Sequence, residues 1–375
     1  MMRRALLAVV VILAALAAPV QASSEPPLVD ASAWYLVGED GVVLAQRSSR
    51  GPRAIASITK LMTALVALQH AGPSDSVNVT SVAASIGGST VFLQGGEALT
   101  VAELVRATLV PSANDAAAAL ALHVGDGSTA RFVSLMNAKA RELGLRDTAF
   151  ANPHGLDEAG HVSSARDATL LVRHALGVPF IRDALGRSSF SLGDGREFPT
   201  TDDLLVSWPP LVGGKTGHTQ DAGWSEAAAA TARGATVYGT VLGAESRATR
   251  NDALQTLLEY GLARYRKVAA IDAGRVYAES ETGYGLPPLE LVAPRTIVRT
   301  VRDDASLLER LVVPTATGLP VLRGQALGRV EVFDGDRLIA SSNLVAAKAV
   351  SAPGFRGKAK WFVERTADHA WEIVT

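Results

Sequence analysis

The sequence contains no cysteine among its 375 residues. This absence excludes a disulfide framework, a thiol nucleophile and a thiolate metal site, so any covalent catalysis must use another nucleophile. An excess of charge of one sign is also missing, since Lys and Arg total 36 and Asp and Glu total 37. Without a basic field, nothing indicates nucleic acid as a partner.

Lysine is scarce, because only seven of the basic residues are lysine and the other 29 are arginine. Arginine stays charged, whereas a buried lysine can lose its proton, so each lysine is a better candidate for chemistry. Lys60 stands in the apolar stretch A-I-A-S-I-T-K-L-M-T, three residues after Ser57. Residues three apart share a helix face, so the amine can reach the hydroxyl. A desolvated amine has a lowered pKa and can act as the base for a serine nucleophile.

The N-terminus has a charged start, M-M-R-R, followed by an apolar run over 5–18 and a small-residue cleavage pattern, Val20-Gln21-Ala22. The run is shorter than the roughly 20 residues that a membrane-spanning helix needs. The pattern predicts a removed signal peptide over 1–22, with an uncleaved anchor as the alternative. Either way we expect a secreted protein, periplasmic or at the cell surface.

The pattern along the chain predicts two domains and a tail. Strand patterns occupy 33–46, around Asp40-Gly41, and 222–243; helical patterns occupy 57–69, 101–109, 114–124, 128–143, 166–176 and 250–265. Strands at both ends and helices in the middle predict an α/β sandwich over 28–266. Short β-branched runs and an Asp334-Gly335 hairpin predict a small, mostly β domain over 268–350.

The tail, 351–375, mixes basic and aromatic residues. They are Arg356, Lys358, Lys360, Phe355, Trp361, Phe362 and Trp371. Such a mixture fits an amphipathic segment at the outer face of the cytoplasmic membrane, and it equally fits an ordinary terminal helix. The sequence leaves both open.

A second motif, Ser112-Ala113-Asn114, lies between two helical patterns. Ser112 can relay a proton and Asn114 can donate to a substrate amide. The alternative is that these residues only cap the following helix.

A third motif is Gly214-Lys215-Thr216-Gly217. It is not a phosphate-binding loop, because Pro209 stands where that loop needs glycine. It suits an edge strand that lines a cleft and pairs with a peptide. A second cation near Lys60 would also lower the pKa of that lysine.

Taken in order, A-S-I-T-K-L-M-T, S-A-N-D and G-K-T-G-H-T resemble the three motifs of the serine penicillin-recognising enzymes. More narrowly, the chain resembles the low-molecular-mass penicillin-binding proteins that are D-alanyl-D-alanine carboxypeptidases. The resemblance extends over about 30–265, through stretches such as F-A-N-P-H-G-L-D and V-L-G-A-E-S-R-A-T-R. It implies a β-lactamase/transpeptidase-like α/β sandwich with an antiparallel sheet, followed by a small mostly β domain.

The resemblance also implies an activity, the removal of the terminal D-alanine from peptidoglycan stem peptides without metal or cofactor, with β-lactams as covalent inhibitors. Ser57 would be acylated, Lys60 would be its base, Ser112 would pass the proton to the leaving D-alanine, and Asn114 would hold the substrate amide.

For the rest of the site, the resemblance implies that Lys215 and Thr216 bind near the terminal carboxylate, and Gly217 leaves the backbone open. The backbone N–H groups of Ser57 and His218 would form the oxyanion hole. Arg250 is a candidate for a second carboxylate contact. The pair Asp202-Asp203 departs from relatives that carry Asn or a basic residue there, so the shape of the carboxylate pocket is open.

Four alternatives remain. A D,D-endopeptidase would cut cross-links, and a β-lactamase would need a group that activates water for deacylation. Asp157 and Glu158 lie in a stretch that matches the carboxypeptidases instead. A non-catalytic wall-binding protein would not need an intact set of motif residues. A metal hydrolase would rest on His154 and His161 near Asp157, without the usual zinc motif.

Overall fold

The computed structural model describes residues 9–16 and 25–374, which form two compact units. Residues 25–264 form one unit, and residues 265–374 together with the first strand, β1 (Val9–Leu16), form the other. One hydrophobic cluster of the first unit runs from Ala33 to Leu242, and a cluster of the second unit runs from Ala270 to Ala346. The predicted cleavage pattern at 20–22 lies outside the described residues.

The first unit is built on a five-stranded antiparallel sheet. The nine described strands of this unit are β2 (Ala33–Gly38), β3 (Val43–Arg47), β4 (Ser76–Asn78), β5 (Ala98–Thr100), β6 (Ser189–Ser191), β7 (Glu197–Pro199), β8 (Leu211–Thr219), β9 (Gly223–Ala232) and β10 (Ala235–Ala244). The large sheet has the order β3-β2-β10-β9-β8, and the other four strands form two small sheets, β4 with β5 and β6 with β7. Strands from both ends of the unit therefore meet in one sheet, as the sequence predicted.

Helices fill the middle of the first unit. After a 3-10 turn (Ala56–Thr59) they are α1 (Lys60–His70), α2 (Ser81–Ala84), α3 (Val101–Leu109), α4 (Asn114–Val124), α5 (Thr129–Glu142), α6 (Ala165–Gly177), α7 (Pro179–Leu185), α8 (Asp203–Ser207) and α9 (Arg247–Ala263). The predictions at 101–109 and 114–124 are confirmed to the residue. The predicted helix at 250–265 begins three residues earlier, because the Ser246 side chain accepts the Thr249 N–H as its cap.

Both faces of the large sheet are covered, which explains its long apolar runs. On β10, Thr240 receives a hydrogen bond from Thr169 of α6, whereas a β-carbon at Gly239 would touch Leu258 of α9. Neighbouring strand residues point to opposite faces, so α6 and α9 lie on opposite sides. A sheet covered in this way needs apolar residues at successive positions, as in the buried Ala227–Ala230 run of β9.

The second unit is mostly β, which confirms the predicted fold class. Its later elements are β11 (Tyr265–Ile271), β12 (Val276–Ser280), β13 (Leu289–Val292), β14 (Ile297–Arg302), β15 (Leu307–Pro314), β16 (Ala326–Asp334), β17 (Arg337–Ala346) and α10 (Phe355–Val374). One sheet has the order β1-β15-β16-β17-β13-β12, and β11 pairs with β14. Gly335, with φ +59°, forms the predicted turn between β16 and β17. None of the helices within 9–16 and 25–374 has the length and apolar character to cross a bilayer.

Candidate active site

Ser57 lies in the 3-10 turn that leads into α1, so it is partly buried and held one turn from Lys60. The preceding residue, Ala56, has φ +46°, a left-handed conformation that costs a non-glycine residue roughly 1–2 kcal/mol. Strain of this kind concentrates at functional sites, where the surrounding structure holds it. The predicted helix over 57–69 is therefore corrected: its first residues form a tight turn, and the α-helix starts at Lys60.

Lys60 is fully buried, and its Nζ contacts three oxygens. It lies 2.6 Å from Ser57 Oγ, 2.6 Å from Asn114 Oδ1 and 2.9 Å from the His154 carbonyl oxygen. Burial, and then the positive charge of Lys215, holds the pKa of Lys60 well below its usual range, against the opposite effect of Asp115. The amine is thus prepared to lose its proton next to a hydroxyl.

Two glycines pack against the peptide that joins Ala56 to Ser57. Gly155 has φ +89°, and a β-carbon there would overlap the Ala56 carbonyl group. A β-carbon at Gly217, on β8, would lie 2.8 Å from the Ile55 carbonyl oxygen and 3.1 Å from Ser57 N. Only glycine allows these two backbones to approach so closely, so the pair fixes the turn that carries Ser57.

The second motif reaches the same lysine. Asn114 is the first residue of α4; its Oδ1 accepts from Lys60, and its Nδ2 donates to the Gly87 carbonyl at 2.7 Å. Ser112 is buried and has φ +66°. The capping alternative is wrong, because the N-cap of α4 is Ala113, which makes no side-chain hydrogen bond. The motif instead joins the loop at Gly87 to Lys60.

The third motif lies on β8, at the edge of the large sheet, which confirms the predicted edge strand. Lys215 is 1% exposed, and burial, followed by the charge of Arg250, lowers its pKa to about 8; Asp202 and Glu226 act in the opposite direction. Thr216 Oγ1 lies 2.8 Å from Thr201 Oγ1.

The remaining predicted residues differ in accessibility. The side chain of His218 is exposed and stacks on Trp224, with 4.1 Å between ring centroids. Arg250 is 1% exposed; its Nε lies 3.1 Å from Glu226 Oε2 and donates to Asn251 Oδ1 at 3.0 Å. Protein groups thus occupy this guanidinium, and its direct contact with a substrate stays a prediction.

His154 and His161 are structural in this arrangement. His161 Nδ1 accepts the Ala151 N–H at 3.0 Å, so its Nε2 carries the proton toward Thr59 Oγ1 at 2.7 Å. Burial, as the largest cause, lowers the pKa of both histidines to about 4, which keeps them neutral. Within the described part of the chain, no three His, Asp or Glu side chains group as metal ligands.

Three contributions were missed by reasoning from the sequence. Gly155 lies against the Ser57 turn, and the Asp115 carboxylate accepts the N–H groups of Val91 and Leu93, which shapes the neighbouring loop. Glu226 lies buried beside Arg250. The signal for Glu226 was present, since it is the one charged residue in the apolar strand G-W-S-E-A-A-A-A-T-A.

An α/β sandwich with a serine and a buried lysine facing a glycine-lined edge strand defines a serine hydrolase in which lysine replaces the more usual histidine. Comparison with known proteins gives the particular family. The family model for D-alanyl-D-alanine carboxypeptidase matches residues 20–246. This chain belongs to that family of serine peptidases.

Individual relatives can be aligned with this chain over most of its length. The D-alanyl-D-alanine carboxypeptidase DacC of Escherichia coli is 31% identical over 377 residues, covering 92% of this chain and 90% of that protein. The carboxypeptidase DacF of Bacillus subtilis is 30% identical over 337 residues, covering 86% of both. The crystal structure of penicillin-binding protein 5 from Haemophilus influenzae aligns with a TM-score of 0.64 at 27% identity, covering 88% of this chain and 100% of that one.

Proposed function

We propose that this chain is a serine-type D-alanyl-D-alanine carboxypeptidase that removes the terminal D-alanine of peptidoglycan stem peptides through an acyl-enzyme on Ser57. The observation that carries the proposal is the contact of 2.6 Å between Ser57 Oγ and the Nζ of a fully buried lysine. Family membership supports the substrate, and it supports covalent inhibition by β-lactams. The alternatives of endopeptidase, β-lactamase and wall-binding protein gain no specific support.

The three contacts of Lys60 suit a neutral amine. Such an amine has two N–H bonds and one lone pair, and the oxygens of Asn114 and His154 can only accept. The hydroxyl of Ser57 can donate, so the lone pair is directed at it. As Oγ attacks the carbonyl carbon of the scissile peptide bond, Lys60 takes its proton, and the bond to the leaving D-alanine then breaks.

The other motif residues complete the reaction. Ser112 passes the proton from Lys60 to the leaving amine, and water, activated by the returned base, hydrolyses the ester. The backbone N–H groups of Ser57 and His218 stabilise the oxyanion. Gly217, the residue before His218, packs against Ser57 N, which supports a short distance between these two N–H groups. Lys215 and Thr216 bind the terminal carboxylate as a cation and a hydroxyl.

We further propose a signal peptide over 1–22, a catalytic domain over 28–266, a β domain over 268–350 and a membrane-surface role for the tail. Exposed Phe355 and Phe362 on α10, next to Arg356 and Lys358, support contact with an anionic lipid surface. Sedimentation with phosphatidylglycerol vesicles should decrease when both phenylalanines are changed to serine. Equal binding by that variant would reject the membrane role.

The enzymatic proposal is tested by mass spectrometry after reaction with penicillin. The mature wild type should gain one covalent adduct, Ser57→Ala should gain none, and Ser134→Ala, on the exposed part of α5, should react like the wild type. Alanine release from a pentapeptide should exceed cleavage of cross-linked dimers. An unmodified wild type, or an adduct that survives in Ser57→Ala, would refute the assignment.

A further inference from the structure

Two buried acids lie directly behind the third motif. Glu226 on β9 is the cross-strand partner of Thr216 on β8, so their side chains are on the same face of the sheet. Thr216 bonds to Thr201, and the next residue is Asp202, the N-cap of α8. Asp202 is 3% exposed and Glu226 is 0% exposed. The two carboxyl groups are close enough for a side-chain hydrogen bond.

Most oxygens of these carboxyl groups accept no hydrogen bond, and Glu226 Oε2 has only an ion-pair contact, with Arg250 Nε at 3.1 Å. Asp202 Oδ1 accepts the Leu205 N–H at 3.1 Å, but the other three oxygens have no hydrogen-bond partner among the described residues. Ionised carboxylates are acceptors only, so two of them cannot bond to each other. One proton between them converts a repulsive contact into an O–H···O bond. Burial, and then the charge of Asp202, raises the pKa of Glu226 well above its usual range, and burial likewise raises the pKa of Asp202.

The charged groups around the two acids lie on β8, α8 and α9. Lys215 of β8 and Arg250 of α9 are both buried cations, and Arg250 Nε lies 3.1 Å from Glu226 Oε2. On α8 and α9, Asp203 and Arg247 are about half exposed and pair with each other at 2.7 Å, and the same Asp203 oxygen lies 3.8 Å from Arg250 Nη2. The charge of the two acids therefore decides how firmly Lys215 keeps its proton.

We propose that Asp202 and Glu226 are positioning residues that share one proton in the resting enzyme, and that the single negative charge left on them holds Lys215 as an ammonium for the terminal carboxylate of the substrate. With both acids ionised, the cluster with Lys215 and Arg250 would have no net charge to offer a carboxylate. With both acids protonated, no negative charge on the pair would remain to keep Lys215 protonated. The function in substrate binding rests on the carboxypeptidase proposal; the shared proton does not.

The test is a double-mutant cycle read by NMR titration of Lys215. The chain has seven lysines, so side-chain signals of labelled lysine are few, and Lys215→Arg assigns the relevant one. Glu226→Gln and Asp202→Asn each remove one acid, and the remaining acid ionises, so the charge on the pair is unchanged. The pKa of Lys215 should then stay within about 0.3 of the wild-type value in both single variants, and fall by about one unit or more in the double variant.

Two other results would overturn the inference. If both acids were ionised in the wild type, removing either one would remove a negative charge. Each single variant would then have a lower Lys215 pKa than the wild type. An unchanged pKa in the double variant would mean that the pair does not act on Lys215. Glu142→Gln, which removes an exposed acid on α5, should leave the titration of Lys215 unaltered.

Infrared spectroscopy provides a readout that does not depend on catalysis. At neutral pH the wild type should show the band of one protonated carboxyl group that is absent from both single variants, and its absence from the wild type would reject the shared proton. In kinetics, the alkaline rise of KM should move to lower pH only in the double variant, with kcat at neutral pH little changed. A wild type that releases no D-alanine would refute the carboxypeptidase proposal, whereas the infrared band would still decide whether the proton is shared.

Discussion

At the scale of the residue, two of seven lysines lie fully buried at one site. Burying an ammonium is expensive unless its hydrogen bonds are satisfied or its proton is lost. The Nζ of Lys60 contacts three oxygens, none of which belongs to a carboxylate, and this favours the neutral amine. Lys215 has two acids nearby, which favour the ammonium. Arginine could not replace lysine as the neutral base, because it would stay charged at both positions.

These two environments predict a bell-shaped dependence of kcat/KM on pH. A lowered pKa means that Lys60 becomes neutral as pH rises, so activity increases along the acid limb. Lys215, with a pKa of about 8, loses its charge at higher pH, so activity falls along the alkaline limb. Lys215→Arg should move the alkaline limb to higher pH, because the guanidinium keeps its proton.

A matched control for the pH profile is Lys139→Arg on α5, where the lysine is partly exposed and pairs with Glu142 at 2.7 Å. Both limbs should remain as in the wild type. If the alkaline limb of Lys215→Arg coincided with the wild-type limb, Lys215 would not be the group that titrates there.

At the scale of the element, the nucleophile turn is held by contacts from distant parts of the chain. Gly155 comes from the loop before α6, and Gly217 comes from β8. Both approach the backbone next to Ser57, so the strained φ of Ala56 is stabilised by packing and not by its own preference. An isolated 3-10 turn of this sequence would relax.

Gly155→Ala should therefore disable the site. The added β-carbon would overlap the Ala56 carbonyl group, and Ala would also be strained at φ +89°. We expect acylation of Ser57 by penicillin to slow by about a hundredfold, as a displacement of about 1 Å at a nucleophile can cause. The rate of adduct formation measured by stopped-flow fluorescence would test this.

The control for Gly155 is Gly160→Ala in the same loop, because Gly160 has φ +80° but no atom within 4 Å of an added β-carbon. It shares the backbone strain and lacks the overlap, so its acylation rate should stay within about threefold of the wild type. Equal slowing in both variants would attribute the effect to backbone strain alone.

At the scale of the whole molecule, each unit has its own apolar core. The core around α1, α3, α4 and α6 ends at Leu242, and the core of the β-rich unit starts at Ala270. The boundary between the two units, at Arg264 and Tyr265, follows directly after α9, which ends at Ala263. Every residue assigned to the candidate site lies in the first unit.

A fragment of residues 25–264 should thus fold cooperatively and form the penicillin adduct on Ser57. Its core is large enough for independent stability at this length. Calorimetry of the fragment should give one transition, and mass spectrometry should give one adduct. A fragment that is unfolded by circular dichroism would show that the β-rich unit is required for folding.

The local sequence determined a large part of this protein. Hairpin turns at Asp40-Gly41 and Asp334-Gly335, the bounds of α3 and α4, and the three motifs follow from patterns of a few residues, because turn chemistry and helical periodicity act over short distances. The absence of cysteine similarly excluded whole classes of chemistry.

Tertiary structure alone decided which groups surround each lysine. The carbonyl of His154 reaches Lys60 across 94 residues, and Asp202 meets Glu226 through the capping of α8 and the register of β8 with β9. Such contacts depend on strand register and helix packing, which no short stretch of sequence encodes. Lys60 was therefore recognisable as a base from its spacing to Ser57, whereas the means of holding Lys215 charged became visible only in the folded chain.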